Sequence, residues 1–145
     1  MESRDKSWRV NDKRCLLLAL MKELAGDANI SFEGDLKALR LSSIPGASME
    51  ETEALKRNTI WPKHDFIVVP LESSTSKAIV SAIGGTIPNT IIHIQIEKGG
   101  SIQFAAYDNF HPQCIVFHPA MDKAILESLM REGIIRPYTK RLPHR

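Results

Sequence analysis

Apolar residues recur at helical spacing early in the chain. Leu17, Leu20, Met21 and Leu24 lie three or four apart, the spacing of one face of an α-helix. Asn11 suits the N-cap of such a helix and Gly26 the C′ position, so the expected first helix covers residues 12–25. "NISFE" (29–33) alternates as a short strand does, and "IPG" (44–46) reads as a turn. Ser48 with Glu51 three residues on is a capping-box pattern that predicts a short helix to about Arg57. "DFIVVPL" (65–71) is β-branched and apolar. Pro70 has no amide hydrogen to give a ladder, which makes this an edge strand or one that ends there. "STSKAIVSAIGG" supplies a second short helix, opened by Ser or Thr and closed by Gly84 and Gly85.

The clearest alternation is "TIIHIQIEKGGSIQFAAY" (90–107), a hairpin. A slip of one residue turns every side chain to the other face, so the register follows from keeping like faces together. A three-residue loop, Lys98 to Gly100, pairs Ile96 with Ile102, Ile94 with Phe104 and Ile92 with Ala106. On the other face it pairs Gln95 with Gln103 and Glu97 with Ser101. The glycines suit the left-handed residue of a G1 bulge. "QCIVF" (113–117) adds a third strand after a short loop, with Pro112 at its start, and a last helix follows at about 120–132, with Pro119 at its first turn and Gly133 as its stop. Consecutive strands on short loops imply an antiparallel sheet. The expected class is therefore α+β, with a C-terminal three-strand meander and helices packed mainly on one face. The expected organisation is a flexible basic N-terminus (1–10), one α+β domain (11–135) and a basic C-terminal tail (136–145).

Composition adds bounds. At 145 residues, 43% hydrophobic and 25% charged, the chain has the profile of an ordinary globular domain that can bury a core without staples. Its longest apolar run, Cys15 to Met21, is far short of the ~20 residues of a membrane span. No small-residue cleavage site follows that run, so the expectation is a cytoplasmic protein with no membrane partner. Cys15 and Cys114 read as two buried, inert thiols that stay reduced. The net charge of +2 conceals an asymmetry. Residues 1–14 carry five bases and three acids, residues 133–145 carry four bases and no acid, and the body between carries ten bases against fourteen acids. A mildly acidic body argues against a broad nucleic-acid face on it.

Candidate chemistry centres on "FHPQCIVFHP" (110–119), in which Phe-His-Pro occurs twice around a cysteine. On an extended strand Cys114 and His118 sit ~13 Å apart and cannot share a zinc ion bound at ~2.0–2.3 Å. His111, Cys114 and Asp108 could meet, but the second Cys/His pair of a structural zinc site is missing, and no metal or other cofactor is expected. A thiol enzyme would need Cys114 activated by a neighbouring histidine; Cys114 instead precedes "IVF" in a strand that reads as buried on both faces. The fuller account is that prolines mark both ends of one strand.

The polar face of the hairpin gathers His93, Gln95, Glu97, Gln103 and Tyr107, either solvated or open to a partner. Glu50, Glu51 and Glu53, with Glu33 and Asp35, form an acidic patch suited to a basic partner. The reading that follows is a non-enzymatic macromolecule-binding protein, such as a small inhibitor or immunity-type protein, that meets a basic protein through Glu50, Glu51, Glu53, His93, Gln95, Gln103 and Tyr107. Two alternatives stand beside it. One is a small hydrolase or transferase using Asp108, His111 and Cys114. The other is a nucleic-acid-associated protein acting through its basic termini.

Overall fold

A computed structural model describes residues 7–138. Among them the chain forms three α-helices and seven strands in two antiparallel sheets, a mixed α+β architecture. In chain order these are β1 (Ser7–Val10), α1 (Lys13–Leu24), β2 (Ala28–Gly34), β3 (Asp65–Leu71), α2 (Ser73–Ile83), β4 (Ile91–Lys98), β5 (Ser101–Ala106), β6 (Ile115–Phe117), α3 (Lys123–Arg131) and β7 (Ile135–Tyr138). The main sheet has the order β3-β2-β4-β5-β6, while β1 and β7 pair separately as a two-stranded ribbon. Among the described residues no helix is long and apolar enough to cross a membrane.

Strand alternation divides the main sheet into two unlike faces. Ile30 of β2 lies between Val69 and Ile96, and Phe32 between Ile67 and Ile94. These residues join Leu16, Leu17, Leu20 and Met21 of α1, Ile79 and Ile83 of α2 and Leu129 of α3 in one buried apolar cluster. On the opposite face Ser31, Glu33, His93, Gln95 and Glu97 stand in cross-strand rows, with a small second cluster of Leu55, Phe66 and Val68 beside them.

The edge position of β3 matches its proline. Val68 exchanges both backbone hydrogen bonds with Ser48, outside the sheet. Pro70 shares the parity of Val68, so its nitrogen without hydrogen also faces outward, where no ladder bond is lost.

Four local expectations are corrected. The helix over 48–57 does not form. Ser48 gives its backbone to Val68 and its hydroxyl to the Glu50 amide, and the Glu51 carboxylate accepts from Arg57 N at 2.7 Å. Long-range and turn partners thus consume the groups that a capping box would use. The hairpin loop has two residues: Lys98 pairs with Ser101, and Gly99 and Gly100 have φ of 66° and 86°, the signs of a type I′ turn. A bulge then passes over Gln103, so Ile96 faces Phe104 and Ile94 faces Ala106, in place of the Ile96–Ile102 and Ile94–Phe104 pairs. The Lys98 ammonium donates to the carbonyls of Leu24 and Ala25 at the end of α1, where a cation favours the helix dipole.

The third correction moves two caps. Asp12, not Asn11, caps α1 by accepting from Cys15 N at 3.0 Å, and Asn11 instead binds Gly133 O and Ile134 O. The last helix starts at Lys123 with Asp122 as N-cap, so Pro119 lies before it rather than in its first turn. The fourth concerns the ends. Ser7–Val10 and Ile135–Tyr138 are paired strands, although the pattern placed most of these residues in basic arms. The expectations for residues 1–6 and 139–145 lie outside the described residues.

Candidate functional site

The polar face of the main sheet is covered. Residues 49–64 have no helix or strand of their own and run across that face; three of its side chains hold them. Glu33, 1% exposed, accepts from the amides of Asn58 (2.8 Å) and Thr59 (3.2 Å) through its two oxygens. Gln95 donates to Ser31 Oγ (2.9 Å) and to the carbonyl of Lys56 (3.0 Å), and its own carbonyl accepts from the Tyr107 hydroxyl (3.1 Å). His93, 5% exposed, contacts Thr59 Oγ1 through Nε2 at 2.7 Å and accepts from Asp108 N at Nδ1 at 3.1 Å. Leu55 is buried against Phe66 and Val68, and the Arg57 guanidinium lies over the Phe66 ring and donates to His64 O.

The His93 contacts fix its tautomer. A backbone N–H can only donate, so Nδ1 is the acceptor and the neutral ring carries its proton on Nε2. Nε2 therefore donates to Thr59, which is the wrong direction for a base that would activate that hydroxyl. Burial lowers the His93 pKa from its ordinary value, against the opposing pull of the Glu33 and Asp108 carboxylates. Burial also raises that of Tyr107. These groups form a neutral-histidine hydrogen-bond network that fastens a segment.

His93 and Gln95 were candidates for an open binding face and are instead buried beneath residues 49–64. Glu33, counted with the acidic patch, is likewise buried. Tyr107 is half-buried with its hydroxyl committed to Gln95, and Gln103 sits half-buried at the bulge. Glu50, Glu51 and Glu53 are exposed on the covering segment itself.

Among the described residues the His111 ring and the Cys114 thiol share no hydrogen bond. Burial first, and then the Asp108 carboxylate, push the Cys114 thiol up, away from the thiolate. His111 Nδ1 accepts from Gln113 N at 3.1 Å, while the His111 carbonyl accepts from Cys114 N. His118 repeats this arrangement: its ring accepts from Ala120 N at 3.0 Å and its carbonyl from Met121 N. The doubled tripeptide is thus a doubled turn, each histidine capping the residues after its proline. The strand between is shorter than expected, Ile115–Phe117, and Val116 is exposed rather than buried. The two thiols are not buried as expected either: Cys114 is half-buried, and Cys15 is exposed in the first turn of α1. Among the described residues no three His, Cys, Asp or Glu side chains gather as a metal set.

The most exposed apolar side chains carry no periodic signal. Ile60 is 89% exposed, Trp61 84% and Met49 70%, all on the covering segment. Periodicity cannot flag them, because the segment has no period. Compared with protein-family models, curated proteins and solved structures, the chain matches none.

Proposed function

We propose that the protein works by binding another protein, and that residues 49–63 are the element that does so. The observation that carries this reading is the contrast within one segment. Its base is fastened to the sheet by Glu33, His93 and Gln95, while Ile60 and Trp61 stand in water. A large aromatic held in solvent on a pre-ordered loop loses little further entropy on docking, which is the economy of an interface anchor. Glu50, Glu51 and Glu53 lie exposed on the same segment and Arg57 is turned inward, leaving Lys56 and Lys63 as its exposed bases. The occupant that fits is a protein with an apolar pocket for Trp61 and a basic rim for the three carboxylates. Masking such a surface, as an inhibitor or immunity-type protein does, is the corresponding role.

The electrostatics at Cys114 oppose the hydrolase or transferase alternative, because thiolate chemistry needs the thiol pKa lowered. A photo-crosslinking residue at position 61, expressed in the cells of origin, should give one dominant adduct, and the same residue at position 116 should not. With the crosslinked protein purified, Trp61→Ala should weaken binding by roughly 2 kcal/mol or more, through a faster off-rate. Reversing Glu50, Glu51 and Glu53 to lysine should slow association, and less so at high salt. An adduct that forms equally at 116, or an affinity indifferent to Trp61→Ala, would reject the reading.

A further inference from the structure

The ribbon of β1 and β7 places Arg9 directly opposite Arg136. Both are exposed, and like charges so placed on adjacent strands repel. The one ion pair among the described residues is Lys37–Asp65, so neither arginine is neutralised by a described carboxylate. Tyr138, opposite Ser7, shares their face, and the Arg9 guanidinium lies 5.3 Å from the centre of its ring. The other face of the ribbon points inward, with Trp8 and Ile135 buried in the core, and Asn11 ties β1 to the turn before β7. The pair is therefore held in place by packing on its far side. Before β1 the sequence balances Arg4 and Lys6 with Glu2 and Asp5, and after β7 it carries Lys140, Arg141 and Arg145 with no acid.

We propose that this ribbon binds the sugar–phosphate backbone of a single-stranded nucleic acid, with Arg9 and Arg136 on phosphates and Tyr138 offering a ring to a base. Guanidiniums match phosphate in a fork geometry, and an aromatic beside them is the usual partner of an unpaired base. An anion between the two arginines would also relieve the repulsion that the free ribbon carries. Nucleic acid is favoured over a membrane surface because the exposed face has no apolar side chain to insert. The inference is independent of the reading of residues 49–63.

The test is fluorescence anisotropy of a short labelled oligothymidylate titrated with the full chain, in a series of salt concentrations. Arg9→Gln with Arg136→Gln should weaken binding about tenfold or more and reduce the log–log salt slope by roughly 1.4, the value for two single-strand phosphate contacts. Tyr138→Ala should weaken binding with the salt slope unchanged. The double variant should melt within a few degrees of the parent, because loss of the like-charge contact offsets loss of the Arg9–Tyr138 ring contact, so lost binding would not reflect lost folding. The proposal fails if the full chain does not bind the oligonucleotide. It also fails if the double variant binds with the same slope, or if anionic vesicles retain the full chain while the oligonucleotide does not.

Discussion

Glu33 shows how much one buried carboxylate can organise. Its two oxygens take the amides of two consecutive residues from a segment more than twenty positions away. In Glu33→Gln one amide would face the donor side of the new group, which should cost about 1–3 kcal/mol, read as a lower denaturant midpoint with an unchanged slope. His93 gives a pH prediction. Its pKa is lowered in the folded state, so below about 6.5 the unfolded chain binds the extra proton more readily. Its contribution is therefore fully present above about pH 6.5 and is lost as the pH falls from there toward the folded pKa. Melting curves should show this decline, and His93→Gln should flatten it; an unaltered decline would assign it to other groups. Glu97 behaves in the opposite sense to Glu33. One of its oxygens is buried without a hydrogen-bond partner, and the other has only a 3.5 Å contact with Asn29. Glu97→Gln should thus stabilise the fold by about 1 kcal/mol, since it removes a poorly matched buried charge.

Elements were legible in the sequence where the signal was local. The helical spacing through Leu17, Leu20 and Leu24 and the alternation through Ile30 and Phe32 reflect one face meeting one core, and both elements form close to where the pattern puts them. The hairpin existed in the pattern but its pairing did not. Two loops satisfy its alternation once a bulge is allowed; Gly99 and Gly100 take the positive φ of the two-residue turn, and the bulge at Gln103 restores the facing of Ile96 and Phe104. The 48–57 segment failed because a capping box describes local bonds, and Val68 and Glu33 supplied stronger distant ones. At the far end of β2 the backbones come close enough to demand glycine. A Cβ on Gly34, where φ is 150°, would lie 2.0 Å from the Thr90 carbonyl oxygen. Gly34→Ala should therefore destabilise by about 3 kcal/mol or more, measurable as a lower melting temperature, whereas Gly85→Ala, with open space around it, should leave the melting temperature close to that of the parent.

At the scale of the whole molecule, the sheet has one apolar face, which packs with the helices in the main core, and one polar face fastened to an irregular segment. The polar residues of the second face were legible from parity. Their cover was not, because whether a polar face meets water or a loop depends on the path of residues with no repeat. The same limit hid Ile60 and Trp61, whose significance comes only from being exposed on something fixed. It also hid the ribbon, whose strands are four residues each and lie at opposite ends of the sequence. One practical consequence is that a truncation testing the basic tail must begin after Tyr138, since removing Arg136 onward takes most of β7 and uncovers Trp8. Residues 49–63 join a fastened base to an exposed tip, and amide hydrogen exchange of the isolated protein reads both halves at once. Asn58 and Thr59, bonded to buried Glu33, should exchange slowly, with protection that falls in Glu33→Gln, while the amides of Ile60 and Trp61 on the exposed tip should exchange faster than those two. Equally fast exchange at all four positions would contradict the account.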